Sequence, residues 1–187
     1  MFGKLNTRQI VFCGLFTALA AVGAFIKIPL PPIPFTMQTL FVVLSGLLLG
    51  SRLGALSIAV YVALGLIGVP VFTQGGGLGY LLKPTFGYLI GFILDSWIAG
   101  RVAESVPNPS FKRMLAGAFA GLAVVYLCGM VYVYILCNYV IDKPMGFKTL
   151  IIYCFLIFVP SDSVWNVIAS LIAKRLRGTL NLCGRQS

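Results

Sequence analysis

The sequence predicts an all-α membrane protein, a single integral domain over residues 1–187 with six transmembrane helices. Three observations predict it. Hydrophobic residues make up 59% of the chain and the mean hydropathy is +1.00. Charged residues make up only 10%, where a soluble domain carries about 25% to meet water over its whole surface. Apolar runs approaching the roughly 20 residues that a spanning helix needs recur six times, with basic residues gathered near their ends. The same arithmetic excludes a disordered chain and a typical cytosolic enzyme, and with no His in the sequence it excludes any His-dependent mechanism.

The first run, about 9–28, follows Lys4 and Arg8 and ends at Lys27. It opens like a signal peptide, but it stays apolar and shows no small-residue cleavage site, so it reads as a retained span. Pro29, Pro31, Pro32 and Pro34 end it, because proline lacks the N–H a helix needs and clashes with the preceding turn. The second and third runs, about 35–50 and 53–69, are short and meet at Gly50-Ser51-Arg52. A glycine-rich break around Gly75, Gly76, Gly77 and Gly79 precedes the fourth run, about 84–103. The fifth and sixth follow at about 112–138 and 148–174. With the N-terminus inside, ten basic residues fall on the inner side and only Lys27, Lys83, Lys143 and Lys148 on the outer. The excess of Lys and Arg on the cytoplasmic side predicts that both termini are cytoplasmic in a multi-pass cell-membrane protein. The proline loop 29–35 and the glycine loop 70–84 then share the outer face. Because the basic residues mark span ends, the net charge of +10 predicts membrane topology and contact with lipid rather than nucleic-acid binding. Cys13, Cys128, Cys137, Cys154 and Cys183 show no metal or redox spacing and read as small apolar residues.

Few residues can carry chemistry. Asp162, beside Pro160, lies about 18–21 Å from the ends of its run on a continuous helix, well inside hydrocarbon. An ionisable group there needs a partner, a cavity or a ligand. It reads either as a ligand-binding or proton-relay carboxylate or as a structural acid paired with a buried Lys or Tyr. Asp95, Glu104 and Asp142 are read at span ends or in a loop. In the glycine loop, Gly76, Gly77 and Gly79 let backbone amides approach an anion, or else simply connect two spans. Lys83 reads either as a partner for a ligand carboxylate or as a headgroup anchor. Thr36 and Gln38 suit a small heterocycle but equally suit interfacial hydrogen bonding. Phe72, Tyr80, Phe86 and Tyr88, with Thr85 among them, either wall a pocket or belong to an interfacial aromatic belt. Gly14, Ala18, Ala20, Ala21 and Ala24 recur at helical spacing on the first span, presenting a smooth face for packing within the chain or against another subunit.

Several of these residues sit in longer motifs: Pro-Phe-Thr-x-Gln-Thr at 34–39, Gly-x-Pro-Val-Phe at 68–72, Gly-Gly-Leu-Gly-Tyr-Leu at 76–81, Pro-Thr-x-Gly-Tyr-Leu-x-Gly-Phe at 84–92 and Pro-x-Asp at 160–162. Over about residues 7–177 the chain resembles the BioY family, the biotin-binding membrane S-components of energy-coupling factor (ECF) vitamin transporters. The resemblance implies an S-component bundle that captures biotin from outside. It also implies a transmembrane T-component, docked on the small-residue face of the first span, and two ABC-type ATPases. No cofactor is expected on this chain; ATP belongs to those partners, since no GxxxxGK[ST] loop occurs here. The chain departs from the family's Pro-Gly-Asp-x-x-Lys pattern at Ser161 and Trp165, and Lys83 stands where a glycine is expected before Pro-Thr. The expectation is that Lys83 replaces the lost lysine against the ligand carboxylate while Asp162 accepts from the ureido N–H groups. Trp165 would cover the ring, or the pocket would have shifted to a related acid such as lipoate or a biotin precursor. A stand-alone transporter driven by Asp162 protonation is the competing class, and no enzymatic activity is expected.

Overall fold

A computed structural model describes residues 6–28, 35–141 and 146–180. Pro29, Pro31, Pro32 and Pro34, the terminal Lys4, Cys183 and Arg185, and the loop residues Asp142 and Lys143 lie outside the described residues. The chain is mostly helical and multi-pass. Helix α1 spans Thr7–Phe25, and the Asn6 N–H donates to the Gln9 side chain at its start (2.9 Å). A two-residue antiparallel hairpin follows, β1 (Lys27–Ile28) with β2 (Phe35–Thr36), in the register Lys27 opposite Thr36. Helices α2 (Gln38–Leu49) and α3 (Ser51–Leu66) are split at Gly50, whose φ of +87° favours glycine. A short 3-10 turn, Leu78–Leu82, then leads into α4 (Phe86–Glu104), and α5 covers Phe111–Tyr139.

Four helical segments are long and apolar enough to cross a bilayer: α1, α4, α5 and the run Lys148–Arg177. Helices α2 and α3 are apolar but shorter, at 12 and 16 residues. The last run is not the continuous helix expected from its hydropathy. It is built from α6 (Phe147–Ile151), a π turn (Ile152–Leu156) and α7 (Val159–Leu180). The physical reason lies at Pro160, which cannot donate to the carbonyl four residues back and whose ring crowds it. The chain widens there, Ile157 N–H reaching Ile152 O at 3.3 Å, and regular bonding resumes with Asp162 N–H on Phe158 O at 2.9 Å. Asp162 therefore sits in the first turn of α7, just past the π turn, while still lying midway along the apolar run Lys148–Arg177.

Helices α4 and α5 approach closely through glycine. A Cβ on Gly91 would come within 2.7 Å of the Val125 Cα. In lipid, where burial of apolar side chains drives little association, such small residues are what permit helices to touch. Two buried cores result. One gathers Tyr61, Phe72, Tyr80, Tyr88, Tyr126 and Phe158, and the other Leu44, Leu47, Ala99, Met114, Ala118 and Ala169.

A second correction concerns Asp95. It does not lie at a span end: it occupies the middle of α4 and is fully buried. The space for it comes from α5, where a Cβ on Gly121 would fall 1.9 Å from its Oδ1. Neither carboxylate oxygen has a hydrogen-bond partner among the described residues.

Candidate functional site

A cleft opens into the aromatic core, enclosing about 530 Å³ of empty space counted to its mouth. Its ionisable acid is Asp162, which is only 7% exposed. Tyr126 of α5 donates to one carboxylate oxygen at 2.6 Å, and Thr39 of α2 to the other at 3.0 Å. Three helices thus converge on one acid. The pairing answers the open question about Asp162 in part: Tyr126 is its buried partner, yet the carboxylate also lines the cleft. A carboxylate offers about four acceptor positions, and two are taken by protein.

Gln38 is held at the first turn of α2, its amide N–H donating to the Tyr61 hydroxyl (2.8 Å), which in turn donates to Val71 O (3.1 Å). Thr36, in β2, places its hydroxyl 3.5 Å from the Gln38 Oε1. On the facing wall the Tyr80 hydroxyl meets those of Thr73 and Thr85, both at 2.9 Å. Tyr88 donates to the Cys154 carbonyl of the π turn at 2.8 Å. Its ring occupies space that exists because residue 129 is glycine, where a Cβ would lie 2.4 Å from ring carbon Cζ. Phe35, Leu89, Phe92, Val125 and Phe158 complete an apolar lining. The arrangement suits a small amphipathic molecule with N–H donors at one end and apolar bulk along its body.

Of the residues singled out in the sequence, Thr36, Gln38, Tyr80, Thr85, Tyr88 and Asp162 line this cleft. Phe72 stands behind it, packed against Tyr80 with ring centroids 4.4 Å apart and edge-on to Tyr61 at 5.5 Å. Gly76, Gly77 and Gly79 are not among the lining residues. Their segment is a closed loop: Gly77 N–H donates to Gly65 O at 2.7 Å, Gly75 N–H to Phe72 O at 3.3 Å, and a Cβ on Gly76 would strike the Val69 carbonyl at 2.3 Å. Glycine here builds the loop that seats Thr73 and Tyr80. Lys83 caps the 3-10 turn with an exposed side chain outside the lining. Trp165 packs with the other core, its Nε1 buried without a hydrogen-bond partner among the described residues.

Thr39, Thr73, Tyr126, Phe35 and Phe158 were not singled out. Phe35 and Thr39 lie inside the quoted 34–39 motif and Thr73 directly follows the 68–72 motif, but Tyr126 sits in an unbroken apolar run with no local signal. The α1 small-residue set divides. Gly14, Ala18 and Ala21 border an open apolar groove shared with Leu56, Val60 and Leu64 of α3. Ala20 and Ala24 are fully buried inside the bundle. Among the described residues, no three His, Cys, Asp or Glu side chains gather as a metal site would require.

The BioY family model matches residues 1–181. The chain is 41% identical over 176 residues to the "Probable biotin transporter BioY" of Lysinibacillus sphaericus, covering 94% of this chain and 90% of that protein. It is 45% identical over 171 residues to the "Biotin transporter BioY" of Thermotoga maritima, covering 91% of this chain and 96% of the relative. Its fold matches the crystal structure of the S-component for biotin from an ECF-type ABC transporter with a TM-score of 0.80, at 25% identity, over 96% of this chain and 95% of that one.

Proposed function

Because the chain belongs to the BioY family, we propose that it is the biotin-binding, substrate-capture S-component of an ATP-driven ECF transporter. The observation that carries this reading is one buried carboxylate, Asp162, set in an otherwise aromatic and aliphatic cleft. Biotin has the complementary parts: a ureido group with an N–H on each nitrogen, an apolar fused ring and chain, and a terminal carboxylate. The ureido N–H groups donate to the free acceptor positions of Asp162, replacing water that the site excludes. Tyr126 and Thr39 hold the carboxylate in place, so little ordering is left to do when the ligand arrives. Tyr88, Phe92 and Phe158 cover the ring, and Gln38 offers both an acceptor and a donor beside it. An ionised ligand carboxylate is repelled by Asp162, so the tail points away from it, toward the part of the lining formed by Thr36 and Thr73.

Capture of this kind needs no bond-making by the chain. ATP hydrolysis resides on two ABC-type partners, coupled through a T-component that seats on the groove at Gly14, Ala18 and Ala21, where helices can approach closely. Ala20 and Ala24 serve packing within the chain. Both termini face the cytoplasm of a prokaryotic cell, as the distribution of Lys and Arg supports. Mass spectrometry of the small molecule that co-purifies with the chain, followed by calorimetric titration with biotin and lipoate, tests the reading. Biotin is expected to bind more tightly; tighter lipoate binding would assign a related acid instead. Uptake that persists without ATPases and stops with an uncoupler would replace the ECF reading by proton-coupled transport.

A further inference from the structure

The charge that would meet the ligand carboxylate is the question the cleft leaves open, because none of the lining residues is a cation. Lys27 stands next to the mouth. It lies in β1 directly opposite Thr36, a lining residue, and its ammonium group donates to the carbonyl of Thr73, another lining residue, on the glycine loop. Two separate segments of the outer hairpin and loop therefore bracket one ammonium group at the cleft's edge. An ammonium group has three N–H donors. With one on the Thr73 carbonyl, two remain for an incoming acid. Among the described residues, Lys83, which follows the 3-10 turn, has no comparable tie to the lining.

We infer that Lys27 is the specificity-determining residue that reads the ligand's carboxylate, selecting anionic over neutral forms of the same ring. This rests on the ligand orientation proposed above, with the N–H groups at Asp162 and the acid at the mouth. Placing a cation beside the lining and a carboxylate inside also disfavours a reversed ligand, because its acid would then meet the Asp162 carboxylate.

The test compares binding of biotin with that of its neutral primary amide by calorimetry on the purified full chain in detergent. The parent is expected to prefer the acid. Lys27→Met is expected to weaken biotin binding by about 10- to 100-fold while leaving amide affinity within about twofold, so the preference collapses. Lys27→Arg keeps the preference, Lys83→Met keeps it fully, and raising the salt concentration erodes it in the parent, as for a charge at a solvent-facing rim. A Lys27→Met variant that retains the acid preference overturns the inference. So does one that loses acid and amide equally, since that assigns Lys27 a purely structural tie to Thr73. A parent that binds no biotin overturns the reading of the site and this inference with it, whereas a parent that binds acid and amide alike overturns this inference alone.

Discussion

Replacing Asp162 by Asn is the most direct perturbation of the site, because it removes the charge and keeps the shape. Asp162 accepts from Tyr126 at 2.6 Å and from Thr39 at 3.0 Å, and it is 93% shielded from solvent, being only 7% exposed. Its two remaining acceptor positions face the cleft. A hydrogen bond to a charged group contributes about 1.5–3 kcal/mol. At 1.4 kcal/mol per tenfold change, losing one such bond to a ligand N–H raises the biotin Kd about 10- to 140-fold. The Asn oxygen can still accept one bond, so a total loss of binding is not expected. Isothermal titration on the purified chain measures the ratio. Circular dichroism and a melting curve on the same sample confirm that the bundle persists. An intact bundle with a Kd within about threefold of the parent would refute the reasoning, leaving Asp162 as a clamp among α2, α5 and α7 only.

Three further outcomes follow from particular contacts. Gly129→Ala puts a methyl group 2.4 Å from the Tyr88 ring, so that ring must shift and its bond to Cys154 O is strained. Overpacking of this kind costs about 1–3 kcal/mol, and biotin affinity is expected to fall at least fivefold in a titration, with helix content unchanged. Asp95→Leu replaces two buried oxygens that have no partner among the described residues by a side chain of similar shape. Relief of about 1–3 kcal/mol is expected, which for a chain of this size raises the melting temperature by roughly 2–4 °C per kcal/mol in a scanning measurement. A lower melting temperature would mean that Asp95 has a stabilising role. Ala18→Trp fills the exposed groove and is expected to abolish biotin uptake by cells supplying the ATPase partners, while the isolated chain binds biotin as before. Ala20→Leu, at a fully buried position, is expected instead to destabilise the chain itself.

What was legible in the sequence follows from local chemistry. Hydropathy is a sum over neighbours in the chain, so the membrane class and the positions of apolar helices can be read directly. Lipid offers no partner for backbone groups, and helices satisfy their own. Asp162 was legible for the same reason: a single acid in a long apolar run calls for an explanation. Thr36, Gln38 and the residues around Tyr80 stood out because proline and glycine interrupt the apolar pattern there.

Convergence, by contrast, depends on which faces meet. A helix that is apolar on all sides gives no signal of which side is inward. Hence Tyr126, 36 residues from Asp162, was invisible until α5 was set against α7. Thr39, 123 residues away, was likewise assigned to Asp162 only by the packing of α2. The place of Asp95 depended on a glycine in the facing helix. The same division holds for charge. The sequence by itself determined that the chain is a multi-pass membrane protein and that an acid deep in its last apolar run needs a partner. Only the tertiary structure decided that Tyr126 and Thr39 are those partners, that the glycine loop closes on its own carbonyls, and that Lys27 rather than Lys83 is tied to the cleft's mouth. Those outcomes come from contacts between segments far apart in the chain, which no local sum of hydropathy or charge contains.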